Sequence, residues 1–242
     1  GGELPGTAAG INVATNVGVL DTILQGLVGW WKFDEGSGQV ASDSSSSEVN
    51  ILLPTGAAPD WDAGVDGGAL DFSSDDAYAE TEAAVPISNT DQILSISAWL
   101  HSSTNTNNQT VISDTGSENA ADPFLWIYRA GNSDNLRYQF ATGALIDEVS
   151  CVNFFSGNNN KWAHLAIVAN YSNRYIKFYR NGELISTSTI SENMLFPNIN
   201  AKQYIGAHGH GRDFYKGKID SLRIYDRELT PEEILILAKS KK

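Results

Sequence analysis

From Leu27 to Tyr225 the sequence breaks into short runs rich in Val, Ile, Tyr, Phe and Trp, each closed by a cluster of Gly, Asn, Asp or Ser. β-Branched and aromatic side chains fit the pleated surface of a strand, and the interrupting residues take the backbone conformations that turns need. The cadence predicts strands near Leu27–Phe33, Gly68–Phe72, Ile93–His101, Thr110–Ser113, Phe124–Arg129, Leu136–Ala141, Ala144–Asn153, Trp162–Ala169, Tyr175–Arg180, Leu184–Thr189, Gln203–Ile205 and Lys218–Tyr225. Asn181-Gly182 is the strongest hairpin signal, because both residues tolerate the positive φ of a type I′ turn. Gly131–Asp134 reads as a second, looser turn.

One helix is predicted, at the C-terminus. Thr230-Pro231-Glu232-Glu233 places an N-cap hydroxyl, a proline at the first helical position and a glutamate three residues after the cap. Ile234, Leu235 and Leu237 then supply an apolar face, with Lys239, Lys241 and Lys242 at the negative end of the helix. At the other terminus, residues 1–26 read as an arm. Gly1 to Gly10 contains no aromatic residue. Ile11 to Leu24 carries Val13, Val17, Leu20 and Leu24 at helical spacing and Val17 and Val19 at strand spacing. Gly18 and Gly26 weaken the helix without deciding for the strand. The simplest organisation is an arm, 1–26, and one all-β domain, 27–242.

Composition narrows the function. Hydrophobic residues make up 41% of the 242, enough for a sizeable core and too many for wholesale disorder. Sixteen Lys and Arg against 29 Asp and Glu give a formal charge of −13, which repels phosphate backbones and anionic lipid headgroups. Nucleic acid and membrane surfaces are therefore excluded as expected partners. Cys151 is the only cysteine, so neither an intrachain disulfide nor a thiolate metal cluster is expected. The apolar runs are far short of a bilayer span. No basic start followed by an apolar run is present, and an opening on Gly1 is expected of a processed or excised fragment. Abundant Asn, Ser, Thr and Gly with few charges point to an extracellular or cell-surface setting.

The order of several motifs carries a resemblance. Leu27-Val28-Gly29-Trp30-Trp31-Lys32-Phe33-Asp34-Glu35-Gly36-Ser37-Gly38, Asp43-Ser44-Ser45, and Gly67-Gly68-Ala69-Leu70-Asp71-Phe72 with Asp75-Asp76-Ala77-Tyr78 come first. Leu94-Ser95-Ile96-Ser97-Ala98-Trp99, Lys161-Trp162-Ala163-His164-Leu165-Ala166, Phe178-Tyr179-Arg180-Asn181-Gly182, Tyr204-Ile205-Gly206 and Gly217 through Thr230 follow. The ordered set from Leu27 to Lys239 resembles laminin-G-like, concanavalin A-type jelly-roll domains. The resemblance implies two antiparallel sheets packed as a sandwich, a bound structural Ca²⁺, and use as a carbohydrate- or protein-binding module rather than a catalyst. It further implies that the first and last strands are neighbours, which would let Asp34, Glu35 and Asp220 converge with Asp43 on the Ca²⁺. The alternative is that these are ordinary turn and capping acids. Asp75-Asp76 is a second candidate, equally readable as a turn pair. No DxDxDG loop is present, which removes an EF-hand.

Trp30, Trp31, Trp99 and Trp162 lie in strand motifs and are expected in the core. Trp126 shares a strand face with Phe124 and Tyr128. Rings in a row on an open sheet face stack on sugar rings, so Trp126, Tyr128 and Tyr138 with Arg137 form a candidate glycan platform, with core packing as the alternative. His208-Gly209-His210-Gly211-Arg212 is the histidine-rich spot. Two histidines one residue apart can ligate Zn²⁺ or bond a ligand, but no third nitrogen or thiolate is near, which favours a surface loop. His164 is expected to be structural.

Catalysis finds little support. Glycoside hydrolysis needs two carboxylates facing across a bond, and the hydrolytic members of the wider superfamily carry a closely spaced Glu/Asp/Glu strand motif. Ile146-Asp147-Glu148-Val149 does not match it, and no GxSxG elbow exists. Cys151 reads as a small buried hydrophobe. Asn108-Gln109-Thr110 and Asn170-Tyr171-Ser172 match the glycosylation sequon, a match frequent by chance. The expected function is a non-catalytic extracellular binding or adhesion module for a glycan or surface protein, stabilised by Ca²⁺. The rival is a subunit of a cell-surface filament or layer, self-assembled when residues 11–26 add a strand to a neighbour.

Overall fold

The computed structural model describes residues 22–88, 90–103, 107–114, 124–142, 145–194, 196–197, 201–209 and 211–240. The strands are β1 (Leu27–Trp31), β2 (Val40–Ala41), β3 (Ile51–Leu52), β4 (Asp60–Ala63), β5 (Gly68–Asp71), β6 (Ala79–Thr81), β7 (Ile93–Ser102) and β8 (Gln109–Ser113), then β9 (Phe124–Arg129), β10 (Leu136–Thr142), β11 (Leu145–Cys151), β12 (Trp162–Asn170), β13 (Tyr175–Arg180), β14 (Glu183–Thr189), β15 (Tyr204–Ile205) and β16 (Gly217–Tyr225). They form two antiparallel sheets. The first runs β14-β13-β12-β7-β16-β5-β4, with β1 also paired to β16; the second runs β11-β10-β9-β8-β15-β6-β3-β2. This is the expected jelly-roll sandwich. β2, β3, β4 and β6 add to the predicted strands; at two to four residues they are too short for an alternation to be read.

The main core lies between the sheets. β7 contributes Leu94, Ile96, Ala98 and Leu100, β12 contributes Leu165, Ile167 and Ala169, and β9 and β10 contribute Leu125, Ile127, Tyr138 and Phe140. Trp31 is fully buried there, its Nε1 donating to the Val49 carbonyl at 2.9 Å. Trp30, Trp99 and Trp162 are not in this core. They occupy alternate positions and point to the outer face of the first sheet, half-buried. The expectation that all four strand tryptophans are core is corrected for Trp99 and Trp162, while Trp30 packs against a second apolar cluster on that face. Being aromatic and strand-borne does not decide which face a ring takes; the phase of the alternation does.

A second apolar cluster covers part of that outer face. Ala166, Val168, Tyr179 and Tyr225 lie under Ile23, Leu27, Leu229, Ile234 and Leu237. The helix Pro231–Leu237 closes the cap as its sequence dictates: Thr230 Oγ1 accepts from Glu233 N at 3.2 Å, and Glu233 Oε2 accepts from Thr230 N at 2.8 Å. The helix's last turn holds no basic residue; Lys239 follows the C-cap Ala238, and Lys241 and Lys242 lie outside the described residues. Arg227 ties the cap to the segment before β1, donating to both Glu233 carboxyl oxygens at 2.9 Å, to Gln25 O at 2.6 Å and to Thr22 O at 2.5 Å. The reading of residues 1–21 as an arm lies outside the described residues. The Asn181-Gly182 turn has φ of 53° and 87°, as a type I′ turn requires.

Candidate functional site

Alternation on β9 sends Leu125 and Ile127 into the core and Trp126 and Tyr128 to the outer face of the second sheet. On β10 it sends Leu136, Tyr138 and Phe140 inward and Arg137 and Gln139 outward. Tyr138 is therefore no part of a platform: it is fully buried and its hydroxyl meets that of Tyr171 at 2.8 Å. Registration sets Arg137 opposite Tyr128 and Glu148 opposite Gln139. Tyr128 OH donates to Glu148 Oε2 at 2.5 Å and Arg137 Nη1 donates to Glu148 Oε1 at 2.7 Å, so both carboxyl oxygens are taken. Burial, with the Glu148 charge beside it, pushes the Tyr128 phenol up to about 12.

The Trp126 ring stacks on Tyr128 with centroids 3.8 Å apart and 16° between planes, and Trp126 Nε1 donates to Thr110 Oγ1 at 2.9 Å. His208 meets the same indole edge-on at 4.4 Å. Trp126 is 9% exposed and Tyr128 4%. The rings give their faces to each other and form a rigid wall rather than an open platform. His208 Nδ1 accepts from Arg212 Nε at 3.1 Å, and burial and the Arg212 charge push the imidazole down to about 4, so it is neutral at pH 7. His210 lies outside the described residues.

Beyond Arg212 the wall opens into a cleft of about 420 Å³, lined by Asp75, Asp76, Asn107, Arg212, Asp213, Phe214 and Lys216. It is assembled from the turn after β5, the lead-in to β8 and the connection from β15 to β16. Lys216 Nζ fixes the turn by donating to Ser73 O at 3.2 Å, Ser74 O at 2.9 Å and Asp75 Oδ1 at 3.0 Å. The Asp75-Asp76 pair thus serves a turn and an ion pair. Burial raises the Asp213 carboxyl, with Arg212 at 3.8 Å opposing that shift. Tyr128, Trp126, His208 and Arg212 form one chain of contacts leading to the cleft. Sequence reasoning singled out the wall and the histidine loop and missed Phe214, Lys216, Asn107 and Glu148. The available signal was the polar-aromatic mix of Arg212-Asp213-Phe214-Tyr215-Lys216 directly after that loop.

The four acids expected around Ca²⁺ divide. Asp43 is saturated by its own turn: Oδ1 accepts from Trp30 N and Ser45 N, both at 2.8 Å, and Oδ2 from Ser45 Oγ at 2.7 Å and Val49 N at 3.0 Å. Glu35 Oε1 accepts from Ser42 N at 2.8 Å. Asp34 and Asp220 do meet at one feature, the Gly64–Gly68 connection between β4 and β5. Asp34 Oδ1 accepts from Gly68 N and Asp220 Oδ2 from Val65 N, each at 2.8 Å. A Cβ on Gly64 would lie 2.2 Å from Gly68 O and 2.4 Å from Asp220 Oδ2; one on Gly67 would lie 2.2 Å from Asp34 Oδ1; one on Gly68, 2.2 Å from Phe33 O. Glycine alone lets these oxygens crowd the turn. Two carboxylates and two carbonyls are donors of the kind Ca²⁺ takes. Among the described residues, however, no group of three or more His, Cys, Asp or Glu can hold a metal ion. The residues fit a cation in kind through Asp34 and Asp220, and not as the four-acid set.

The remaining candidates are structural. Asp147 accepts from Glu148 N at 2.9 Å and Ser191 N at 3.0 Å. Cys151 is buried and burial raises its thiol pKa. Asn170 is buried and donates to Glu228 at 2.5 Å, while Asn108 Oδ1 accepts from Gly131 N at 3.0 Å.

A family model for the concanavalin A-like lectin/glucanases superfamily, of the laminin G type, matches residues 72–235. Comparison with curated protein sequences returns no match. Among solved structures, the ligand-binding domain of botulinum neurotoxin serotype D in complex with N-acetylneuraminic acid superposes with a TM-score of 0.66 at 15% identity, over 91% of this chain and 52% of that one. The serotype D binding domain gives 0.69 at 15% identity, over 91% and 52%. The binding domain of Paraclostridial Mosquitocidal Protein 1 gives 0.69 at 18% identity, over 89% and 52%. The likeness is one of fold, and the chain spans about half the length of these structures.

Proposed function

Because the chain belongs to the concanavalin A-like lectin/glucanase superfamily, whose model covers residues 72–235, we propose that it is a non-catalytic, extracellular glycan-binding module whose ligand seats in the cleft between Asp75 and Lys216. The observation that carries this reading is the 420 Å³ cleft itself, which sets the Phe214 ring among Arg212, Asn107 and Asp213. An aromatic ring accepts the apolar face of a sugar, and convergent polar groups then take its hydroxyls. The stacked wall behind Arg212 holds that guanidinium through His208. The botulinum neurotoxin serotype D domain, of which 52% matches this chain, was solved with N-acetylneuraminic acid, which supports sugars as the ligand class. Of the acids, Glu148 is engaged by Tyr128 and Arg137 and Asp75 by Lys216, while Asp76 and Asp213 also line the cleft; the reading as a binder follows the family resemblance. A structural Ca²⁺ held by Asp34 and Asp220 at the Gly64–Gly68 turn belongs to the same reading.

The test is a glycan array, with and without Ca²⁺, followed by calorimetry on the best ligand with Arg212→Ala and Phe214→Ala. Weakening by about tenfold at unchanged melting temperature supports the cleft. An array without hits under both conditions overturns it. The alternative of strand donation by residues 11–26 turns on residues outside the described set. The described end of that segment packs on its own domain through Ile23 and through Arg227.

A further inference from the structure

The outer face of the first sheet carries a second aromatic arrangement, independent of the cleft. β7 turns Ser95, Ser97, Trp99 and His101 outward, and β12 turns Trp162, His164, Ala166 and Val168 outward. The C-terminal helix and the segment before β1 cover Ala166 and Val168, and Ser95 Oγ donates to Arg227 O at 2.6 Å beneath the same cover. At the other end of the face, registration sets Trp99 opposite His164 and Trp162 opposite His101. Indole and imidazole thus alternate both along and across the strands. The contacts are edge-to-face, at 5.2 Å and 69° for Trp99–His164 and at 5.5 Å and 64° for His101–Trp162.

Trp99, His101 and Trp162 are half-buried, whereas His164 is 0% exposed. His164 Nε2 meets Ser97 Oγ at 2.9 Å, and its Nδ1 makes no hydrogen bond. Burial and the Arg223 charge push this imidazole down to about 3, which keeps it neutral. Of the charges at the margin, Lys218 is matched by Asp62, Nζ lying 2.6 Å from Oδ2, and Arg223 is buried against the Trp30 ring, 4.7 Å from its centroid.

A protein-docking patch would present contiguous apolar area at its centre. Here each indole is separated from the next by a hydrogen-bonding ring. That alternation suits a sugar, whose own surface alternates C–H faces and hydroxyls. We propose that this face is a second carbohydrate site, taking a neutral linear oligosaccharide laid diagonally across Trp99 and Trp162. Diagonal neighbours on a sheet face stand about 7–8 Å apart, which lets successive sugars of one chain each meet an indole. His101 takes hydroxyls between them.

Electrophoresis of the full chain through gels containing dextran, galactomannan or mixed-linkage glucan, each neutral and soluble, tests this. The expected result is retardation by at least one polymer, with a shift in tryptophan fluorescence when that polymer is added. Trp99→Ala and Trp162→Ala each weaken retardation by roughly tenfold, Val152→Ala, at an exposed position outside both sites, leaves it unchanged, and Arg212→Ala with Phe214→Ala reports whether the cleft carries the polymer instead. Circular dichroism establishes that the variants fold. Should either alanine variant not fold, His101→Ala replaces it, with loss of retardation still expected. The proposal is overturned if no polymer retards the wild type, or if the folded variants on this face migrate as the wild type does. Loss in the Arg212/Phe214 variant alone overturns it too and assigns the polymer to the cleft, while an empty cleft leaves this face unaffected.

Discussion

Both sheets turn tryptophans outward, and they do so differently. On the second sheet Trp126 lies flat on Tyr128 and is capped by His208, leaving 9% of it exposed. On the first, Trp99 and Trp162 stand apart, each meeting a histidine edge-on, and remain half-buried. The same residue type in the same alternation yields a wall in one place and an accessible surface in the other. What differs is the neighbour along or across the strand: Tyr128 two residues on offers a ring that stacks, whereas His164 and His101 offer edges.

The largest effect that probes this contrast compares three alanine substitutions by urea unfolding. Trp31→Ala empties a fully buried site and is expected to cost about 3–5 kcal/mol. Trp126→Ala, which removes the stack and the bond to Thr110, costs about 2–3 kcal/mol. Trp99→Ala costs about 1 kcal/mol or less. If Trp99 matches Trp31, the first sheet's outer face is a second core and the contrast fails.

Acid compares the two faces next. His208 and His164 titrate near 4 and 3 in the folded protein, below the ordinary histidine value of 6.5. The unfolded chain therefore binds more protons as pH falls below 6.5, and stability must fall with it, down to about 4 for His208 and about 3 for His164. His208→Gln should flatten the upper part of that slope and His164→Gln extend the flattening further down, read as unfolding midpoints against pH. Asp114 works in the opposite direction. Burial lifts it to about 7 against the bonds its carboxyl accepts, so it favours the folded state below pH 4 and loses that contribution as pH rises towards 7. Asp114→Asn is expected to remove that loss.

A smaller effect separates the acids of the glycine turn from those of the loops. Chelation is expected to lower the melting temperature of the wild type by mass action. Asp220→Asn should abolish the response, whereas Asp43→Ala should cost about 1–3 kcal/mol equally with and without chelator, because its four bonds are internal. Melting unchanged by chelator in the wild type would remove the metal from the turn.

The sandwich was legible in the sequence because strand composition, Asn181-Gly182 and the Thr230 cap are local signals, and the structure keeps all of them. The phase of each strand was not. Tyr138 and Trp126 sit on adjacent strands of similar composition, and only the sandwich decides that one faces Tyr171 and the other His208. The cleft was illegible for a different reason. Asp75, Asn107 and Phe214 are distant in sequence and meet only because β5, β8 and β16 end together. Asp43 was legible as a significant acid with cation ligand and turn acid both open as its role, since a carboxylate that organises its own turn and one that waits for a cation look alike until the amides around it are located.

The pairing of β1 with β16 has a mechanical consequence. Leu27 lies opposite Tyr225, and Arg227 grips Thr22, Gln25 and Glu233 just outside that pair. Tension drawn through the segments flanking these two strands would not slide one strand along the other. It would pull them open from the Leu27–Tyr225 end like a zip, with the Arg227 clasp as the first element to bear the load.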